Sequence, residues 1–283
     1  MTSAKKAAPK NQEKKIEKPA GKYRGKVGET TRAQETVKDM RYCSVKCLYG
    51  LKNGGPVDDD CPNVSHHPRK DNGHHDQTAR QVVSATRAAL APPSAATMYR
   101  VPGAFGRVGQ LLKVSSGEAR YVFVLKATCD DEQPHEQMSN RSYLLRESEI
   151  YKRQLQELQG HYVPVRLGYF GLYNPVPGTA SITNPLQPHA LDCSYFLALS
   201  YGGEPYRQAG PDAITQAADN AEDLIGAAGV SRYYKKKEHA LVHPDTGDVV
   251  VVDFDDSKLR IPVGPCEDWY FFFPKNTPEW RRD

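Results

Sequence analysis

The sequence has no long apolar run. Nothing in its 283 residues approaches the roughly 20 apolar residues that a membrane-spanning helix needs. The Lys-rich N-terminus has no apolar segment behind it, so a secretory signal is not expected. Tryptophan is scarce, with two residues. A strong excess of one charge is also missing: 38 Lys and Arg face 34 Asp and Glu, a net of +4. A balance that mild does not by itself imply nucleic acid. Six cysteines without a secretory context do not read as a disulfide framework. They point to a reducing intracellular compartment, cytoplasmic or nuclear.

The hydrophobic content is 39%, with 16 tyrosines, which permits a sizeable core in one two-lobed domain or two small ones. Residues 1–41 contain almost no large apolar residue and are rich in Lys, Ala, Glu and Thr. They cannot offset the entropy of ordering, so a disordered basic tail is expected. Its lysines read as a solvated tail; nucleic-acid binding is unlikely outside this tail.

Residues 42–92 hold Cys43, Cys47, Cys61 and His67. Two Cys four apart share one face of a helical turn. A third Cys and a His beyond a Gly-rich loop could complete a tetrahedral Cys₃His zinc site. The alternative is that these Cys are small buried hydrophobes. His74 and His75 fall in a polar loop and read as solvent-exposed. Thr78 to Leu90 has the period of a short amphipathic helix, ended by Pro92-Pro93.

Strand-like runs follow: Met98–Val101, Leu111–Val114 and Arg120–Lys126, with Gly103, Gly106 and Gly109 between the first two. Glycines between strands let a backbone approach phosphates closely. Lys126 ends an apolar strand, where its simplest use is to meet an anion. Arg141 to Leu158 carries a 3.6-residue apolar period containing Glu147 and Glu149, and reads as one helix. Tyr162 to Phe170 reads as a strand pair and Cys193 to Ser200 as a strand; Pro211 to Gly229 reads as an Ala-rich helix. Then comes Leu241-Val242, the turn Pro244–Asp248 and the β-branched run Val249–Val252, a hairpin delivering Asp253, Asp255 and Asp256. Carboxylates at the end of a buried strand need a cation, and Mg²⁺ prefers such oxygens. The aromatic run 269–273 and Trp280 read as packing anchors.

"GV" at Gly229-Val230, a nine-residue loop, "ALV", a turn and "VVVVDFDD" resemble the catalytic loop, hairpin and metal-binding Asp of protein-kinase-like folds. The likeness is to fungal kinase-like proteins, related in pattern to RIO-type kinases and aminoglycoside phosphotransferases. It implies an α+β, two-lobed fold: a β-rich N-lobe over residues 93–200 and a reduced C-lobe over 201–283. It implies a nucleotide site of Gly103, Gly106, Gly109, Lys126, Glu147, Leu199, Tyr201 and Asp253, with ATP and Mg²⁺ as ligands. It also implies a departure. Arg232 stands at the catalytic-loop His, Tyr234 at the catalytic Asp and His239 at the metal-binding Asn. Tyr234, with an ordinary pKa of about 10, cannot act as the base at pH 7. Arg232, Lys235, Lys236 and Lys237 form a cationic loop that could hold a phosphate. The expectation is a pseudokinase that binds nucleotide or serves as a scaffold for a protein partner. The alternatives are an impaired phosphotransferase using Asp255 or Asp256, and a zinc-stabilised interaction module that binds no nucleotide.

Overall fold

The computed structural model describes residues 36–90, 98–105, 109–129, 139–172, 193–205, 212–232, 236–243 and 246–259. All belong to one compact unit, Glu35–Asp283. The class is α+β, with antiparallel sheets and four α-helices among the described residues. Gly106, Tyr234, Lys235, Pro244, Asp245, the Pro-rich stretch 173–192 and the aromatic segment 269–280 lie outside them.

Helix α1 (Val45–Asn53) begins where the Ser44 side chain accepts the Cys47 amide, and ends at Gly54 in the left-handed conformation. Helix α2 (Ala79–Leu90) follows the predicted amphipathic stretch. The main sheet has five strands: β1 (Met98–Phe105), β2 (Gln110–Ser116), β3 (Tyr121–Cys129), β4 (Arg166–Gly171) and β5 (Cys193–Leu199), in the order β1-β2-β3-β5-β4. The stretch at 162–170 supplies one strand, not two, because residues 159–163 are occupied by turns that bond back onto Leu158. Gly109 enters β2 so close to β3 that a Cβ there would lie 2.3 Å from the Ala127 carbonyl oxygen.

Both faces of this sheet are covered. Phe196 and Ala198 of β5 join the core shared with α1 and α2, whereas Leu197 and Leu199 join a second core. Successive strand residues point to opposite faces, so one apolar strand feeds both. The second core is made with helix α3 (Asn140–Arg153), which packs on β3, β4 and β5. The helix expected to run to Leu158 stops at Arg153. Leu155 bonds back to the Ile150 carbonyl, and a 3₁₀ turn covers Gln156–Leu158.

Part of the stretch expected to be a disordered tail is packed into the core. Val37 and Met40, assigned to the disordered tail, are 3% and 8% exposed and sit in the first core with Cys43 and Leu48. Two apolar residues suffice when an existing sheet supplies the surface they bury against.

The remaining elements are short: β6 (Glu204–Pro205), α4 (Asp212–Ala227), β7 (Val230–Arg232), β8 (Ala240–Val242), β9 (Val249–Val251) and β10 (Ser257–Leu259). β8 and β9 form the expected hairpin, with Gly247 at φ 74°. β6 pairs with β8, and β7 with β10. Val230, Val251 and Phe254 join Ala221 and Ile225 of α4 in the second core. No helix among the described residues is long and apolar enough to cross a membrane.

Tyr151 is fully buried here, yet its hydroxyl has no hydrogen-bond partner among the described residues. An unmet buried polar group costs about 1–3 kcal/mol, and removing it keeps the ring packing. Tyr151→Phe is therefore expected to raise the urea midpoint, by about 1 kcal/mol in stability; a clear loss would show that the hydroxyl is satisfied.

Candidate functional sites

Among the described residues two clusters of chemistry-bearing side chains stand out: one is centred on β3 and the other packs against its start. The first is centred on Lys126. Lys126 is opposite Leu197 in the β3–β5 register, so it faces the second core rather than the first. On α3, Leu144, Glu147 and Tyr151 are spaced by three and four residues and form one buried stripe. Glu147 thereby points at Lys126, with Oε2 2.7 Å from Nζ. Its other oxygen accepts the Phe254 amide at 3.3 Å. Phe254 is locked by an edge-to-face contact with Tyr151, with centroids 5.2 Å apart.

That anchoring delivers Asp253. Its Oδ1 is 2.7 Å from the same Nζ, and Asp255 Oδ2 lies at 3.6 Å. Asp253 has φ 71°, a left-handed conformation rare outside glycine. Such a residue costs on the order of 1–3 kcal/mol and persists only where neighbours over-determine it. Lys126 and the pinned Phe254 amide do so here.

The far side of Asp253 meets His239, whose Nε2 lies 3.2 Å from Oδ2. His239 Nδ1 is 2.7 Å from Arg232 Nη2. A guanidinium only donates, so Nδ1 must accept and Nε2 must carry the proton. His239 therefore donates to Asp253 and has no free lone pair for a metal. Burial, helped by Arg232 and Lys236, holds its pKa below the usual histidine value. Arg232 is buried, paired with Glu222 of α4 and seated 5.4 Å over the Phe254 ring. The cationic loop expected to hold a phosphate thus loses one member, because Arg232 is spent inside the protein. Lys236 is exposed.

The charges follow from this geometry. Burial opposes the Lys126 ammonium, but Glu147, Asp253 and Asp255 overcome it and hold its pKa well above the ordinary lysine value. Burial pushes Glu147 up to about 7, against the pull of Lys126. Burial also opposes the Asp253 carboxylate, but Lys126 outweighs it and draws the pKa down to about 2.

The other expected nucleotide contacts are spread out. Leu199 ends β5, buried in the second core. Tyr201 stacks flat on Tyr42, with centroids 4.0 Å apart, and lines a cleft of about 830 Å³ with Lys113 and Glu204. Gly103 lies within β1 and Gly109 just before β2.

The second cluster is Cys43, Cys47, Cys61 and His67. All four are buried, and their ligand atoms lie within 4.8 Å of one another. His67 Nε2 is 3.5 Å from Cys43 Sγ and 3.3 Å from Cys61 Sγ. A tetrahedron with arms of about 2.3 Å to sulfur and about 2.0 Å to nitrogen has edges of roughly 3.5–3.8 Å, so the set fits an ion of that kind. The outer contacts fit as well. His67 Nδ1 donates to the Ala119 carbonyl at 2.9 Å, which leaves the Nε2 lone pair facing the sulfurs. The Val122 amide at 3.2 Å and the Asn63 amide at 3.4 Å both donate to Cys43 Sγ. Burial pushes the Cys43 thiol up to about 12, while hydrogen bonds from Cys43 and Cys47 draw Cys61 well below the ordinary thiol range. Cys43, Cys47 and Cys61 are free thiols.

His75 corrects the sequence reading. It is 2% exposed, beside this cluster, bonded through Nδ1 to the Tyr121 hydroxyl at 2.9 Å and through Nε2 to the Cys47 carbonyl at 3.0 Å. Its polar sequence neighbours hid a role set by α1 and β3, which local composition does not report. Glu222, the partner of Arg232, was missed for a similar reason: it is one of several acidic residues on α4, and only the fold singles it out.

No protein-family model matches the chain. The chain is similar to part of a meiotic driver. It is 28% identical over 229 residues to meiotic driver SPOK2 of Podospora anserina, a match that takes in 80% of this chain and 27% of that protein. The chain thus spans about a quarter of the relative's length.

Removing Lys126 would strand Glu147 and Asp253 against each other, so Lys126→Met is expected to lower stability by about 3–5 kcal/mol in urea titration. Asp253 adds a pH dependence. Its pKa is below the ordinary 3.8, so its contribution is complete above about pH 4 and is lost as pH falls through about 2. Asp253→Asn should lose that part of the acid-unfolding profile; an unchanged profile between those limits would contradict the ion pair.

Proposed function

We propose that this chain is a kinase-like protein that binds a nucleotide but does not transfer its phosphoryl group, and that it works as a binding or scaffold protein. In this reading the sheet with α3 is the N-lobe and residues from α4 onward belong to a reduced C-lobe. The observation that carries it is the convergence of Lys126, Glu147 and Asp253 together with the His239 hydrogen bond into Asp253. Lys126 would meet the phosphates, and Asp253 would hold Mg²⁺, which when bound would offset phosphate charge. His239, fixed as a donor by Arg232, offers no oxygen at the second metal position. Tyr234 offers no base, and a base is typically worth about 10²–10⁴ in rate. Asp255 is a poor replacement, because it is buried and already faces Lys126. We take the setting from the relative: a binding role in a meiotic drive system, with a protein partner.

The Cys₃His cluster supports a second element of this reading, a structural zinc that ties residues 43–67 to one another beside the β2–β3 turn, which His67 meets through the Ala119 carbonyl. Four buried protein ligands leave no open position, as expected of a structural rather than a catalytic site.

ATP with Mg²⁺ is expected to raise the melting temperature of the purified protein, and Lys126→Met should abolish the rise. ATP turnover should be absent, and should emerge when Arg232→His, Tyr234→Asp and His239→Asn are combined. Turnover by the natural protein that Asp253→Ala removes and Tyr234→Phe leaves intact would establish the impaired phosphotransferase instead. No thermal shift with ATP under any metal condition would favour an interaction module without nucleotide.

Metal analysis of protein purified without chelator should find one zinc per chain. Cys47→Ser should lose it. Zinc-free natural protein with a normal melting transition would reduce the cluster to buried thiols.

A further inference from the structure

The metal cluster has an outer layer that its four ligands do not account for. Tyr121 lies face to face on His67, with centroids 4.2 Å apart and planes 8° from parallel. The Tyr121 hydroxyl meets His75 Nδ1 at 2.9 Å, and His75 Nε2 meets the Cys47 carbonyl at 3.0 Å. A carbonyl can only accept, so Nε2 carries the proton. Nδ1 is then the acceptor and the tyrosine hydroxyl the donor. The chain of bonds runs one way: Tyr121 O–H to His75, His75 N–H to Cys47.

We infer that Tyr121 and His75 form one positioning unit for the metal centre, gripping His67 by stacking and Cys47 through its backbone. This rests on the zinc reading above. The unit ties the ligand-bearing elements to β3, which supplies no ligand. Cys47 is on α1, His67 follows a 3₁₀ turn, and Tyr121 starts β3. Rotation of His67 about the axis through its Cβ would turn Nε2 away from Cys43 and Cys61. Tyr121 covers one face of that ring and the Ala119 carbonyl holds its Nδ1, so the rotation is blocked. Cys47 sits inside a helix, where its sulfur follows the backbone, and His75 fixes that backbone from the side. Beside this bond, Gly50 lets the chain at Pro56 close on α1: a Cβ there would stand 2.5 Å from the Pro56 carbonyl oxygen, while His75 Nε2 at 3.4 Å would be in ordinary contact.

Outer contacts of this kind are typically worth about 10–100-fold in metal affinity. The test uses the full chain loaded with zinc, with competition by a chromogenic chelator. His75→Ala and Tyr121→Phe should each weaken zinc by about 10-fold or more. Tyr121→Phe keeps the stack and removes only the hydroxyl, so it isolates the hydrogen-bonded link. Combining the two should add little, because both break one chain. His75→Gln, which can still donate to the Cys47 carbonyl, should recover part of the loss. Cobalt-loaded protein gives a readout that general destabilisation would not: its ligand-field absorption should shift in His75→Ala and return toward the natural spectrum in His75→Gln. Natural affinity and an unchanged cobalt spectrum in both single variants would overturn the inference while leaving the zinc reading standing. Failure of the natural protein to hold zinc or cobalt would overturn both.

Discussion

One ammonium group organises the part of the molecule that carries the candidate chemistry. Lys126 Nζ is shared by carboxylates 21 and 127 residues away in sequence, and both contacts are 2.7 Å. Buried charge is tolerated only when it is paired and hydrogen-bonded, so each partner must be brought in by its own element. α3 brings Glu147, and the end of the β8–β9 hairpin brings Asp253. The left-handed turn at Asp253 is a consequence: the chain bends unfavourably there because that bend faces the carboxylate toward the lysine while burying Phe254. Removing the lysine would release the reason for the bend as well as the ion pair.

The Cys/His cluster and the lysine site meet the same strand without sharing residues. Tyr121 and Val122 open β3 and support the cluster; Lys126 lies farther along the same strand and faces the opposite core. Cys43 gives its amide to the Val122 carbonyl and receives the Val122 amide on its sulfur. The Cys/His segment is thus continued into the sheet by main-chain pairing, and its apolar residues join the same core as β2 and β3. It is a layer of the fold, laid on one face, while α3 covers the other.

Much of this was legible in the sequence because it is carried by local pattern. The period of α2, the β-branched run of β9 and the glycine at the hairpin turn all report their own conformation. The grouping of Lys126, Glu147 and Asp253 was expected from the resemblance to kinase-like proteins, and the fold brings the three together. What sequence could not show were partnerships made across the fold. Arg232 reads as one cation in a basic loop until Glu222, Phe254 and His239 surround it. His75 reads as a polar-loop residue until α1 and β3 close over it. Val37 and Met40 read as tail because burial there depends on a surface supplied by residues some 80 positions later. Composition sets what a segment can do alone, and these residues do nothing alone.

The order in which the chain is synthesised gives the clasp between Cys43 and Val122 a further meaning. All four ligands of the cluster, Cys43 to His67, leave the ribosome before the β2–β3 turn that covers them. Roughly fifty more residues must follow, about 3–10 s at ~5–20 residues per second. During that interval the three thiols and His67 have neither the Ala119 carbonyl nor the Tyr121 ring against them. A nascent chain in that state exposes its thiols to oxidation. The finished site is closed and protected; its most vulnerable moment is its birth.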